Sequence, residues 1–186
     1  MRRLATLFAT AAVVVSACSG GGLSTDEYAS AVEARTGAYA DEVTDLADKN
    51  ISELNVAVVR LQQEVEGDEL VEAAVAETAR LASMLFAGYG DALDRYVQDL
   101  DALDAPSELE TDHHAYTVAL EASRSGIAPL LSDLSTATTF DDIDRAIASS
   151  GFSDAQPRLV AACTTLQRGI EARGPVVDLR CEVGGG

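Results

Sequence analysis

Apolar residues recur along most of this chain at intervals of three and four, the spacing of one face of an α-helix. A first stripe, Tyr28, Val32, Tyr39, Val43 and Leu46, follows a strong helix start. There Ser24 and Glu27 have the spacing of a capping box, and Leu23 and Tyr28 that of a hydrophobic staple. The phase slips at Asp48-Lys49-Asn50, and the stripe resumes at Ile51, Leu54, Val58, Leu61 and Val65. One long helix bent at the slip is the expectation; the alternative is a second helix capped by Asn50 with Glu53. Glu66-Gly67-Asp68 then breaks the pattern. A second long helix carries Val71, Ala74, Thr78, Leu81, Leu85, Tyr89, Leu93, Tyr96, Leu100 and Leu103. Gly88 and Gly90 interrupt it and should weaken its middle by about 1 kcal/mol each relative to Ala.

Residues 104–108 end that helix and start a third, with Pro106 in its first turn. The third stripe is Leu109, His113, Tyr116, Leu120, Ile127, Leu131 and Leu134, and Gly126 and Pro129 predict a kink near Ser125. Thr139 with Asp142 caps a short helix to about Ser149, and Gly151 breaks the chain. Ser153 and Gln156 are spaced as the capping box of a last helix, with Pro157 in its first turn. Its buried face is Val160, Cys163, Leu166 and Ile170, and Gly174-Pro175 stops it. An apolar tail over 176–181 follows. No span alternates with period two, and no repeat of fixed period is present. The pattern predicts an all-α, antiparallel helical bundle of about four main helices plus a short accessory helix. Residues 24–183 form the bundle domain, and 184–186 a frayed tail.

Composition sharpens this in two respects. Trp is absent and aromatics make up 5% of residues, a helix-forming balance with few strand formers. The chain carries 13 basic and 31 acidic residues, and without Arg2 and Arg3 the formal charge is −20. Such a surface repels nucleic acid and anionic headgroups, so no nucleic-acid partner is expected.

Arg2 and Arg3 precede twelve uncharged residues, 4–15, a length that suits a signal-peptide core and falls short of a spanning helix. Val15-Ser16-Ala17-Cys18 follows, then Ser19-Gly20-Gly21-Gly22. This run resembles a bacterial lipoprotein signal with its lipobox. The resemblance covers residues 1–18 and implies a signal peptide, 1–17, removed before a Cys18 that carries a diacylglyceryl thioether. Residues 18–23 then form the lipidated cysteine and a flexible tether. The expected location is the extracytoplasmic face of the cell membrane, or the outer membrane or periplasmic face in a cell with two. An ordinary cleavable signal and an uncleaved anchor are the blander alternatives. The run Leu103, Pro106, Leu109, His113, Tyr116, Leu120 and the ending Cys163, Leu166, Asp178-Leu179, Cys181 resemble small exported helical-bundle lipoproteins of high-GC bacteria. That resemblance implies a fold and no activity.

With Cys18 assigned to lipid, Cys163 and Cys181 remain, and in an exported protein such a pair is expected to form a disulfide. It would pin the C-terminal tail to the last helix. Two free buried thiols are the alternative, and a redox pair lacks the Cys-x-x-Cys spacing. Glu110-Thr111-Asp112-His113 holds one Glu-x-x-His, which di-iron bundles use twice, and the other histidine is the adjacent His114. Asp141-Asp142-Ile143-Asp144 lacks the glycine and distal Glu of a calcium loop. No phosphate loop or nucleophile elbow is present. No catalytic residue, metal site or cofactor is therefore assigned. Counting residues across the expected turns at Gly67 and Ala105 brings Tyr39, Tyr96, His113 and Tyr116 to one height in the bundle. They form either a hydrogen-bonded core layer or a small ligand pocket, opened by the weakened helix near Gly88 and Gly90. The expected function is a non-catalytic, lipid-anchored envelope lipoprotein with a binding or structural role toward an envelope protein. The alternative is a small-ligand or metal-binding bundle acting in sensing or uptake.

Overall fold

Helix α1 (Thr25–Glu64) begins as its first residues dictate. The Ser24 hydroxyl accepts the Glu27 amide, and the Glu27 carboxylate accepts the Ser24 amide at 3.0 Å. In this computed structural model, which describes residues 22–181, α1 runs unbroken for 40 residues. That is about 60 Å of helix. The signal, Cys18 and most of the tether, together with 182–186, lie outside the described residues. At the phase slip Asn50 does not start a second helix. Its side-chain amide donates to the Leu81 carbonyl of α2 (Asp68–Asp101) at 2.8 Å, which anchors α1 to its neighbour. Gly67, at φ 68°, makes the turn between the two helices.

Helix α2 is the hub of the molecule. One side packs on α1 and the other on α3 (Glu110–Ser125) and α4 (Ile127–Ser135). This two-sided burial takes in Val75, Ala79, Phe86 and Val97 beyond the single stripe read from the sequence. Gly88 and Gly90 do not interrupt α2. A Cβ at position 88 would come within 3.0 Å of Leu46 Cδ2, so the glycine lets the two long helices approach closely.

The expected third helix is two helices, α3 and α4, parted at Gly126. A Cβ on Gly126 would lie 2.0 Å from Phe152 N and 2.3 Å from Gly151 C, so two backbones cross in contact there. Helix α3 also starts later than expected, at Glu110. Pro106 sits in a preceding turn, where its carbonyl accepts the Leu109 amide. Helix α5 (Phe140–Ala148) begins on the Thr139–Asp142 capping box. Helix α6 (Gly151–Glu171) is capped by Ser150 and not by Ser153, and Pro157 falls inside it. The reason is local. The Ser153 hydroxyl turns back to the Ile147 carbonyl at 2.7 Å, leaving Ser150 to accept the Ser153 amide.

Cys163 and Cys181 are bridged, and the tail lies against α6 and α1. The Leu179 amide donates to Gln167, the Asp178 amide to Glu33, and Arg180 pairs with Asp41. Val177 and Leu179 are buried. Among the described residues there are four helices of 16 residues or more, two of nine and no strand, so the all-α bundle with a disulfide-pinned tail is the fold. A further expectation fails. The second α1 stripe is not core: Ile51 is 57% and Val58 45% exposed, with Leu54 at 37%. Beyond Asn50 α1 packs on α2, while α4 and α5 gather with the α2 residues Val75, Ala79 and Phe86 in a separate core cluster.

Candidate functional site

The four residues singled out from the sequence do not form one cluster. Tyr39 stacks on Tyr96 with ring centroids 4.7 Å apart, as the count across Gly67 predicts. Tyr96 Oη lies 2.7 Å from Thr36 Oγ1 and 3.0 Å from Tyr116 Oη. Because Thr36 donates to the Val32 carbonyl, the protons are placed in order: Tyr116 donates to Tyr96, Tyr96 to Thr36, and Thr36 to backbone. His113 stands apart. It is only half-buried, and its Nδ1 meets Tyr28 Oη at 2.7 Å, with no bond to Tyr96. The count does not place His113: it meets Tyr28 of α1, whereas Tyr96 meets Thr36, eight residues further along α1, and Tyr116, three residues further along α3. Burial raises the pKa of each of these phenols, pushing Tyr39 up to about 12, so they stay protonated donors near neutral pH.

Beside this layer the helices fail to close. A cavity of about 740 Å³, open to solvent, lies between α1, α2, α3, α6 and the tail. Val43 and Ala47 of α1, Leu85 and Phe86 of α2, Leu120 of α3 and Val160 of α6 make its walls apolar. Phe86 and Phe152 meet edge to face at 5.6 Å in its floor. Tyr39 and Tyr116 line it; Tyr96 and His113 do not. Leu179, Arg180 and Cys181 form the rim on the tail side, and the Arg180 guanidinium there is already paired with Asp41.

Two fully buried polar atoms in this wall have no partner: the Ser123 hydroxyl and the Gln156 side-chain oxygen. Neither was singled out from the sequence. Ser123 did leave a sign, since it follows Leu120 by three and precedes Ile127 by four, an alcohol in an apolar stripe. Gln156 was absorbed into a cap it does not make. Among the described residues, no group of three or more His, Cys, Asp or Glu side chains could hold a metal. Neither histidine side chain there bonds to a serine or a carboxylate, and His114 is exposed. The arrangement can enclose a mainly apolar molecule and hydrogen-bond it at two points. Comparison with known protein families, with curated proteins and with solved structures finds no match to this chain.

Proposed function

We propose that this is a non-catalytic, lipid-anchored lipoprotein of the cell envelope whose groove binds a small apolar ligand. The groove itself is the observation that supports the reading. Protein interiors close-pack and leave few voids larger than a water molecule, whereas this space is of the size that small-molecule sites occupy, roughly 300–1,000 Å³. The anchor rests on the lipobox around Cys18, and a tether of a few residues would keep the start of the helical body within about 15 Å of the lipid surface. No helix among the described residues is long and apolar enough to cross a membrane. A second reading, docking of an envelope protein, has the exposed Ile51, Leu54 and Val58 in its favour.

The test uses the neutral dye N-phenyl-naphthylamine and the full chain carrying Cys18→Ser, free of acyl groups and detergent. Dye fluorescence should rise and shift to the blue with saturable, one-site binding. Ala47→Trp, which fills the groove from α1, should abolish that signal while leaving the helical circular dichroism unchanged. No saturable binding to the unfilled groove would reject the reading.

A further inference from the structure

Ser123 and Gln156 put two buried polar atoms without partners into the wall of a mainly apolar groove. The antiparallel register of α3 against α6 follows from two close approaches. Gly126 meets Gly151 and Phe152, and Gly169 meets Asp112. In that register Ser123 falls level with Gln156, one turn from the Gly126 crossing. Ser123 is 0% exposed, yet its hydroxyl bonds to nothing, not even to the carbonyl a turn before it. Leaving a buried hydroxyl and a buried amide oxygen unpaired is costly, so two such groups side by side in one cavity wall point to an occupant that pairs them.

From this geometry we propose that the ligand is a neutral amphiphile, a long apolar body ending in a single hydroxyl or amide. The inference rests on the groove being a ligand site, as argued above. A serine hydroxyl both donates and accepts, and a glutamine amide presents an acceptor and a donor. The matching head group does both as well, which a hydroxyl or a primary amide does. An ether only accepts. A carboxylate would have to be buried without a cation, because Arg180 at the rim is committed to Asp41 and the surrounding surface is strongly acidic. Free fatty acids are thereby disfavoured relative to alcohols of equal length. Tyr116, further along α3, does not compete for the head group as a donor, since its proton is given to Tyr96.

Displacement of N-phenyl-naphthylamine from the same Cys18→Ser chain tests this with four competitors of one length: decanol, decanamide, methoxydecane and decanoate. Decanol and decanamide should displace the dye at about tenfold lower concentration than methoxydecane or decanoate, the effect of one to two net hydrogen bonds. In Ser123→Ala with Gln156→Leu the dye should still bind, but decanol should lose its tenfold advantage over methoxydecane. These two substitutions remove groups that bond to nothing in the unliganded protein, so thermal stability should hold or rise. Equal displacement by decanol and methoxydecane, stronger displacement by decanoate, or an advantage that survives both substitutions would overturn the head-group assignment while leaving the groove a ligand site. Failure of the dye itself to bind would overturn both.

Discussion

His113 shows how one contact sets a pH response. Its imidazole is partly withdrawn from water against Tyr28, and this desolvation lowers its pKa from the ordinary 6.5, with His114 adding to the effect and Asp101 opposing it. The folded protein therefore resists a proton that the unfolded chain accepts. Stability contributed by this residue is present above pH 6.5 and is lost as pH falls through that value toward the lowered one. Urea midpoints measured between pH 7.5 and 5.5 should fall for the wild type and fall less for His113→Gln; parallel curves would dismiss the effect. The carboxylates whose pKa values are lowered, Glu27, Glu77, Glu108 and Asp142, act further into acid, Asp142 at about 2. The tyrosines nearby play a different part. Tyr116, Tyr96 and Thr36 pass their protons in a line that ends on backbone, so that set is complete in itself. Ser123, a turn or two along α3, is incomplete, and that difference separates a core layer from a site.

At the scale of elements, Gly126 is the position where the bundle tolerates least. Gly126→Ala would drive a methyl into the backbone of residues 151–152, forcing α3, α4 and α6 apart, and should cost at least about 3 kcal/mol. Gly37→Ala is the matched control, since nothing lies within 4 Å of its Cβ and α1 should gain up to about 1 kcal/mol from it. Urea unfolding of the two variants checks both signs. The same contrast explains what could be read in advance. The caps at Ser24 and Thr139, the turn at Gly67 and a disruption beside Ser125 were legible because each is decided within a few residues. The bridge was legible because two cysteines remained after one was assigned to lipid. The exposure of Ile51 and Val58 was not. Periodicity shows that a helix has an apolar face, but only the lengths of the other helices decide whether anything reaches it. Nor was the groove legible, being a place where five elements stop short of one another. Gln156 belonged to it only once Ser150 had taken the role of cap.

For the whole molecule, charge opposes the proposed anchor. With a formal −20 once Arg2 and Arg3 are set aside, the body would be repelled by anionic headgroups, so in the lipoprotein proposed above attachment would fall to acyl chains, at about 0.8 kcal/mol per buried methylene. Wild-type protein from its native host should partition into the detergent phase and take up labelled fatty acid, and Cys18→Ser should do neither; unlabelled, water-soluble wild type would refute the anchor. The bridge between Cys163 and Cys181 bears on this journey as well. It holds the tail segment that forms one rim of the groove, across a separation of 18 residues. In a thiol-reducing cytoplasm that rim would be unfastened, and oxidising surroundings would fasten it. If the protein is exported and the groove binds as proposed, the groove would travel with one wall unfastened through a compartment rich in greasy molecules and gain its full outline only on arrival, so that its cargo would come from where the protein works and not from where it is made.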